Sequence, residues 1–345
     1  MKERDYTIDL IRLISIGLVV VIHVSNYYNR YLESLESISY VAATFYNSVA
    51  RISVPLFFMI SGALSLSHDY DFHKLFYKIR HFLLILVVWT GIYLVFDLTF
   101  MQYKFEISDY INLIFEPLKP HLWFMYAIIS LYIVNPFIRI LVKNMDKTYQ
   151  NYFMILWFAF TGFVQIIRVI LDYIGYDNDI TYSVPLVQGT YYLGYYMVGY
   201  FLYNRIKEKD AIPMKLCSRL FYLSTTVVFL GTYFFSNQTE AYFADLLTYR
   251  NLFVMISSVT FFILVIGKVK ITSPRLKTIL SGMSPLLFGV YLLHIIPFDL
   301  LIRSIHIKDF NAVYGVPLFS AVIFSFTLFC VFLLSKLPMV KHIIK

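Results

Sequence analysis

Ten apolar runs, each close to the length that crosses a hydrocarbon core, constrain this chain more than any other feature. A spanning helix needs about 20 mostly apolar residues. Runs of that kind fall at 8–28, 42–67, 80–101, 121–141, 150–171, 186–203, 217–235, 250–267, 283–302 and 313–335. The second is interrupted by Arg51, and the sixth is diluted by Tyr and Gly. Only 14% of the residues are charged and 59% are hydrophobic, whereas soluble domains carry about 25% charged residues. A soluble enzyme, a secreted disulfide scaffold, a disordered chain and a nucleic-acid binder are thereby excluded. The only cysteines, Cys217 and Cys330, are too far apart in sequence to suggest a disulfide or CxxC motif. The expected fold class is all-α, a polytopic membrane protein of about ten transmembrane helices forming one domain over residues 1–345. The first run is nearly a full span and lacks a small-residue cleavage site, so no removable signal peptide is expected. No soluble domain is expected at either end.

Lys and Arg in the connections set the expected orientation, because positive residues stay on the cytoplasmic side. Under strict alternation, twenty of the 29 basic residues fall on the side of the N-terminus and seven on the other. Arg12 and Arg51 remain inside spans. This asymmetry predicts both termini in the cytoplasm, in a multi-pass protein of the cell membrane. It also accounts for most of the net charge of +8.

An ionisable side chain at the centre of a spanning helix costs about 2.5–3.5 kcal/mol on insertion scales, so each is a candidate for function. The first run carries Asp9, Arg12 and His23. Arg12 and His23 are eleven residues apart, about three helical turns, so they share one face roughly 16 Å apart along the axis. Asp9 lies one turn before Arg12 and can pair with it or orient it. Arg12 could instead snorkel to the interface, and His23 alone could be a core histidine bonded to a carbonyl. Arg51, at a depth similar to His23, reads as facing a polar cavity or as pairing with Asp97 or Glu116. His121 and Trp123 sit at the start of the fourth run, where an aromatic belt would also place a Trp. Tyr291 and His294 lie in the ninth. Several helices thus bring polar groups to one expected depth, in the outer half of the membrane.

These residues carry a resemblance. D-x-x-R followed by ten residues and His in the first run, R-x-S-V-P-L-F-F-M-I-S-G in the second, H-L-W-F in the fourth and Y-L-L-H in the ninth stand in register. Together they resemble the membrane-bound acyltransferase 3 family. The resemblance implies transfer of an acyl group, usually acetyl from acetyl-coenzyme A, to a hydroxyl of a cell-envelope glycan or lipid-linked sugar. It implies Arg12 and His23 as the essential pair and Arg51 as a further site residue. Acetyl-coenzyme A would be a consumed donor, with no permanently bound cofactor and no metal. The expected partners are the lipid bilayer, the donor and an envelope-glycan acceptor. A glycan-synthesis protein or a second copy of the chain is also open, and a nucleic acid is not expected.

The residue chemistry suits that reaction. A hydroxyl attacking a thioester needs a base near neutral pH, which His23 can supply. The oxyanion needs a donor, and Arg51 is the cation at that depth. Arg12, with Asp9 beside it, faces the side where coenzyme A would be bound, and a guanidinium holds phosphate well. His121, Trp123, Tyr291 and His294 are candidates for holding the substrate. The competing class is transport, an exporter or flippase for a polysaccharide or small solute, which would also place polar residues at midplane.

Overall fold

The computed structural model describes residues 4–31, 37–67, 71–113, 116–176, 185–338 and 340–344, with side chains from 191 onward in the fifth stretch. Among the described residues every regular element is helical. The sequence gives way to α1 (Tyr6–Tyr31), α2 (Ile38–Ala50), α3 (Ser53–Ser65), α4 (Phe72–Thr99) and the short α5 (Ile107–Asn112). Then follow α6 (Trp123–Lys143), α7 (Lys147–Trp157), α8 (Val164–Tyr173), α9 (Pro185–Lys207) and α10 (Met214–Thr239). The remainder is α11 (Leu252–Lys268), α12 (Pro274–Met283), α13 (Leu287–Leu293), α14 (Ile295–Ser304), α15 (Ala312–Leu334) and the terminal turn α16 (Lys341–Ile344). The protein is an all-α, polytopic membrane protein.

Among the described residues, eight segments are both long and apolar enough to cross a membrane: Tyr6–Tyr31, Ile38–Ser65, Phe72–Thr99, Pro120–Lys143, Lys147–Tyr173, Asp245–Lys268, Pro274–Leu293 and Ala312–Leu334. The remaining two of the ten expected spans correspond to α9 and α10, which have the length, at 23 and 26 residues, but not the apolarity. The physical reason is where their side chains go. Tyr195 and Tyr196 of α9 are fully buried, as are Thr232 and Ser236 of α10, so these helices turn polar atoms toward protein rather than lipid. The exposed side of α15 is largely apolar. Along α15, Tyr314, Leu318, Val322, Phe326 and Phe329 are exposed at nearly one-turn intervals, while Gly315, Phe319, Ser320, Ile323 and Thr327 are buried. Large apolar groups outside and small or polar groups inside is the arrangement a lipid solvent favours.

Two spans are broken where the candidate residues stand. The second divides at a turn of Arg51 and Ile52, and Pro55 explains the position. Proline lacks the N–H that would bond the carbonyl of Arg51 one turn earlier. The ninth starts earlier than the expected 283–302 and is not continuous. It begins at Pro274, passes through a 3-10 turn at Ser284–Leu286 and breaks again at His294. Pro297 leaves the carbonyl of Leu293 without its helical donor, and the neighbouring Leu292 carbonyl accepts from the Tyr93 hydroxyl at 2.7 Å.

Small residues set how closely the central helices approach. A Cβ at Gly62 of α3 would lie 1.7 Å from the Tyr196 carbonyl oxygen, and one at Gly199 of α9 would lie 2.2 Å from the Met59 carbonyl oxygen. Glycine at both positions lets the two backbones touch. This contact brings the Tyr192 ring onto Phe58, with centroids 4.7 Å apart.

Candidate active site

The polar stripe of α1 is the axis of the site. Arg12, His23, Asn26 and Arg30 all fall within about 40° of one face at 100° per residue. At one end, the buried Asp9 carboxylate accepts from Arg4 Nε at 2.6 Å, from Arg12 Nη1 at 3.3 Å and from Ser284 Oγ at 2.6 Å. Asp9 therefore orients Arg12, with its own oxygens already occupied. The Arg12 side chain is 35% exposed and looks into a cavity of about 420 Å³. Lys78 and Ser284 also line it near Arg12, followed by apolar groups such as Phe57, Phe82 and Ile128. Phe124 and Tyr291 also line this cavity.

Above that cavity lies a layer of imidazoles. The ring of His23 is 5.1 Å from that of His294, which is 5.2 Å from that of His121. None of the three lines either cavity; His294 and His121 are buried and His23 is half-buried. Because the Tyr291 carbonyl can only accept, the 2.7 Å contact with His294 Nδ1 places the proton on that nitrogen. His294 Nε2 is then a lone-pair acceptor, and it has no hydrogen-bond partner among the described residues. The Tyr291 hydroxyl donates to the His121 carbonyl at 2.6 Å, and Tyr93 packs edge-on against the His121 ring at 5.2 Å. Just before the 3-10 turn at Pro120–Leu122, Lys119 bridges Asp97 at 2.9 Å and Asp299 at 3.0 Å. Burial by itself would lower the Lys119 pKa, but the two carboxylates outweigh it and raise the value. This ion trio ties α4 and α14 to the segment that leads into α6, beside the histidines.

On the far side of the imidazoles the chemistry changes. Arg51 does not pair with Asp97, which Lys119 occupies, nor with Glu116 among the described contacts. Its Nε donates to Asn47 Oδ1 at 2.7 Å and its Nη2 to Asn26 Oδ1 at 3.4 Å. The same Asn26 oxygen accepts from Asn47 Nδ2 and from the Tyr242 hydroxyl, each at 2.8 Å. Arg51 thus lines a second cavity of about 460 Å³ together with Asn26, Arg30, Trp123, Tyr192 and Arg250. Trp123 stacks on Tyr192 with centroids 5.0 Å apart and planes at 24°. Its chain neighbour Phe124 lines the first cavity, so the start of α6 forms part of the wall between the two.

One comparison with known proteins decides the family. The model of the acyltransferase domain, the acyltransferase 3 family, matches residues 5–336, nearly the whole chain. The chain belongs to that family. No curated protein and no solved structure matches it. As an acyltransferase 3 member it is a membrane acyltransferase.

The amino-acid sequence singles out Arg12, His23 and Arg51, and the structure places them at the first cavity, beside His294 and at the second cavity respectively. Sequence reasoning assigns His121, Trp123, Tyr291 and His294 one role where the structure separates them. Trp123 lines the second cavity, Tyr291 the first, and the two histidines lie behind His23. It misses Asn26 and Arg30, which the same helical periodicity could have found. It also misses Lys78, Ser284, Tyr242 and Arg250, for which no local pattern exists.

Proposed function

We propose that this membrane acyltransferase moves an acetyl group from acetyl-coenzyme A to a hydroxyl of a cell-envelope glycan or lipid-linked sugar. The observation that carries the reading is the pair of cavities reaching toward one imidazole layer from the two ends of α1. The first has a cationic mouth at Arg12 and Lys78, suited to phosphates, and an apolar body suited to a slender pantetheine arm. Arg12 and His23 are roughly 16 Å apart, a distance such an arm can bridge. The second cavity offers stacked aromatic rings, on which a sugar can lie. In its second- and fourth-helix wording the chain also resembles the enterobacterial common antigen O-acetyltransferase.

In the reaction, the sugar hydroxyl oxygen attacks the thioester carbonyl carbon. His23 takes the hydroxyl proton, and Arg51 donates to the oxyanion that forms. Collapse breaks the carbon–sulfur bond, leaving the acetyl ester on the sugar. The proton passes from His23 to the departing sulfur, giving the free thiol of coenzyme A. With both termini in the cytoplasm, the donor enters from that side and the acceptor from the other.

Proteoliposomes of the full chain test this reading. Acetyl-coenzyme A supplied at the Arg12 side should be consumed, and free thiol should appear on that same side when acceptor is present opposite. Glycan movement across the bilayer with no thiol released would support an exporter instead.

A further inference from the structure

The two cavities differ in how their cations are balanced. At the first, Arg12 and Arg4 share the Asp9 carboxylate. At the second, Arg30, Arg51 and Arg250 line one space with no carboxylate among its described lining residues. Among the described residues, none of the three has an ion-pair partner within 4 Å. The contacts described for Arg51 and Arg250 are with neutral groups. Arg51 bonds the side-chain oxygens of Asn47 and Asn26 and lies 6.0 Å from the Tyr249 ring centroid, while Arg250 lies 5.7 Å from that of Tyr191. Three guanidiniums around one cavity repel each other, and amides and ring faces only partly offset that repulsion. An anion entering the cavity would relieve it, and a guanidinium fork fits the paired oxygens of a carboxylate or phosphate.

The same cavity presents a flat aromatic surface. Trp123 lies against Tyr192 at 5.0 Å and against Tyr249 at 5.8 Å. The Tyr195 hydroxyl donates to the Tyr249 carbonyl at 2.7 Å, which holds the Tyr249–Arg250 segment in place. Rings and guanidiniums therefore stand on one rigid frame rather than on independent loops.

From this we infer that the acceptor is an anionic sugar, its ring on Trp123 and Tyr192 and its charged group at Arg30 and Arg250, which leaves Arg51 for the oxyanion. The inference rests on the acyltransferase reading and adds the chemical class of the acceptor. The charge can come from a uronic-acid carboxylate within a glycan or from a phosphate joined to the sugar. Either would place a hydroxyl-rich ring next to Asn26 and hence one turn from His23.

The test uses the full chain in nanodiscs and three probes: a glucuronate disaccharide, its neutral methyl ester, and the matching disaccharide phosphate. Binding is read from tryptophan fluorescence with a Trp123→Phe control, and transfer from release of the coenzyme A thiol. An acidic probe should bind about tenfold more tightly than the methyl ester, and added salt should erode that preference. The stronger of the two acidic probes identifies carboxylate or phosphate as the source. Arg250→Gln should reduce the preference, whereas Arg250→Lys should retain part of it, which separates loss of charge from loss of fold. Equal binding of the methyl ester and both acidic probes would overturn the inference, whatever the transfer result. Absence of thiol release with every probe, despite a clear preference for anions, would instead count against acetyl transfer from coenzyme A.

Discussion

The two ends of α1 each carry an arginine-bearing cavity, yet they solve the problem of a cation near lipid differently. At the Arg12 end a buried carboxylate pairs with Arg12 and Arg4, and most of the cavity beyond it is apolar. At the Arg51 end the guanidinium is held by neutral amides beside two further arginines. A cation paired with a carboxylate of its own fold is aimed before a ligand arrives. A cluster left unbalanced is completed by what binds there. The difference assigns one end to a ligand that threads an apolar slot and the other to one that brings charge.

The largest expected effect removes the layer where the two ends meet. His23→Ala should cut acyl transfer by about 10²–10⁴-fold while leaving donor affinity and membrane insertion intact. A purified variant retaining more than a third of wild-type turnover, measured by thiol release, would remove His23 from the chemistry. Next, Gly62→Ala should break one end alone. The added Cβ meets the Tyr196 backbone, which must displace α9 and its Tyr192 platform, and such overpacking costs about 1–3 kcal/mol. A lowered Tm and a raised KM for acceptor with unchanged KM for donor are expected. An equal rise in both would mean that the two cavities are not separable.

A smaller effect probes the other end. Arg12→Lys keeps the charge beside Asp9 but loses the planar fork, so donor affinity should fall about tenfold with little change at saturation. Unchanged affinity in calorimetry would make Arg12 a purely structural partner of Asp9. The smallest concerns pH and the ion trio beside His121. Because the Lys119 pKa is raised in the folded protein, its stabilising contribution is fully present below its ordinary value and is lost as pH rises through the raised one. Thermal stability should therefore be insensitive to this group around neutral pH and decline on the alkaline side. Lys119→Met should flatten that alkaline decline, and an unchanged alkaline profile would show that the trio contributes nothing there.

Much of the site was legible because α1 is regular. A period of 3.6 residues places Arg12 and His23 on one face, and the same count extends to Asn26 and Arg30. Pro55 and Pro297 mark the breaks at Arg51 and His294 through a missing N–H, which is also a local fact. Run length located all ten long helical segments, but it could not distinguish a helix turned to lipid from one packed in protein. Polar side chains buried against protein, Tyr195 and Tyr196 in α9 and Thr232 and Ser236 in α10, lower the apolarity of these two helices.

The amino-acid sequence by itself determined that this chain lives in a bilayer as helices, and which face of its first helix is polar. Spacing along one helix and the cost of polar atoms in hydrocarbon are enough for both. Only the tertiary structure decided that His294 and His121 stand behind His23, that Asp97 belongs to Lys119 rather than Arg51, and that Arg250 joins Arg30 and Arg51. These are contacts between residues far apart in the chain. They depend on how closely Gly62 and Gly199 let helices approach and where proline bends them, and no periodicity within a single helix encodes that.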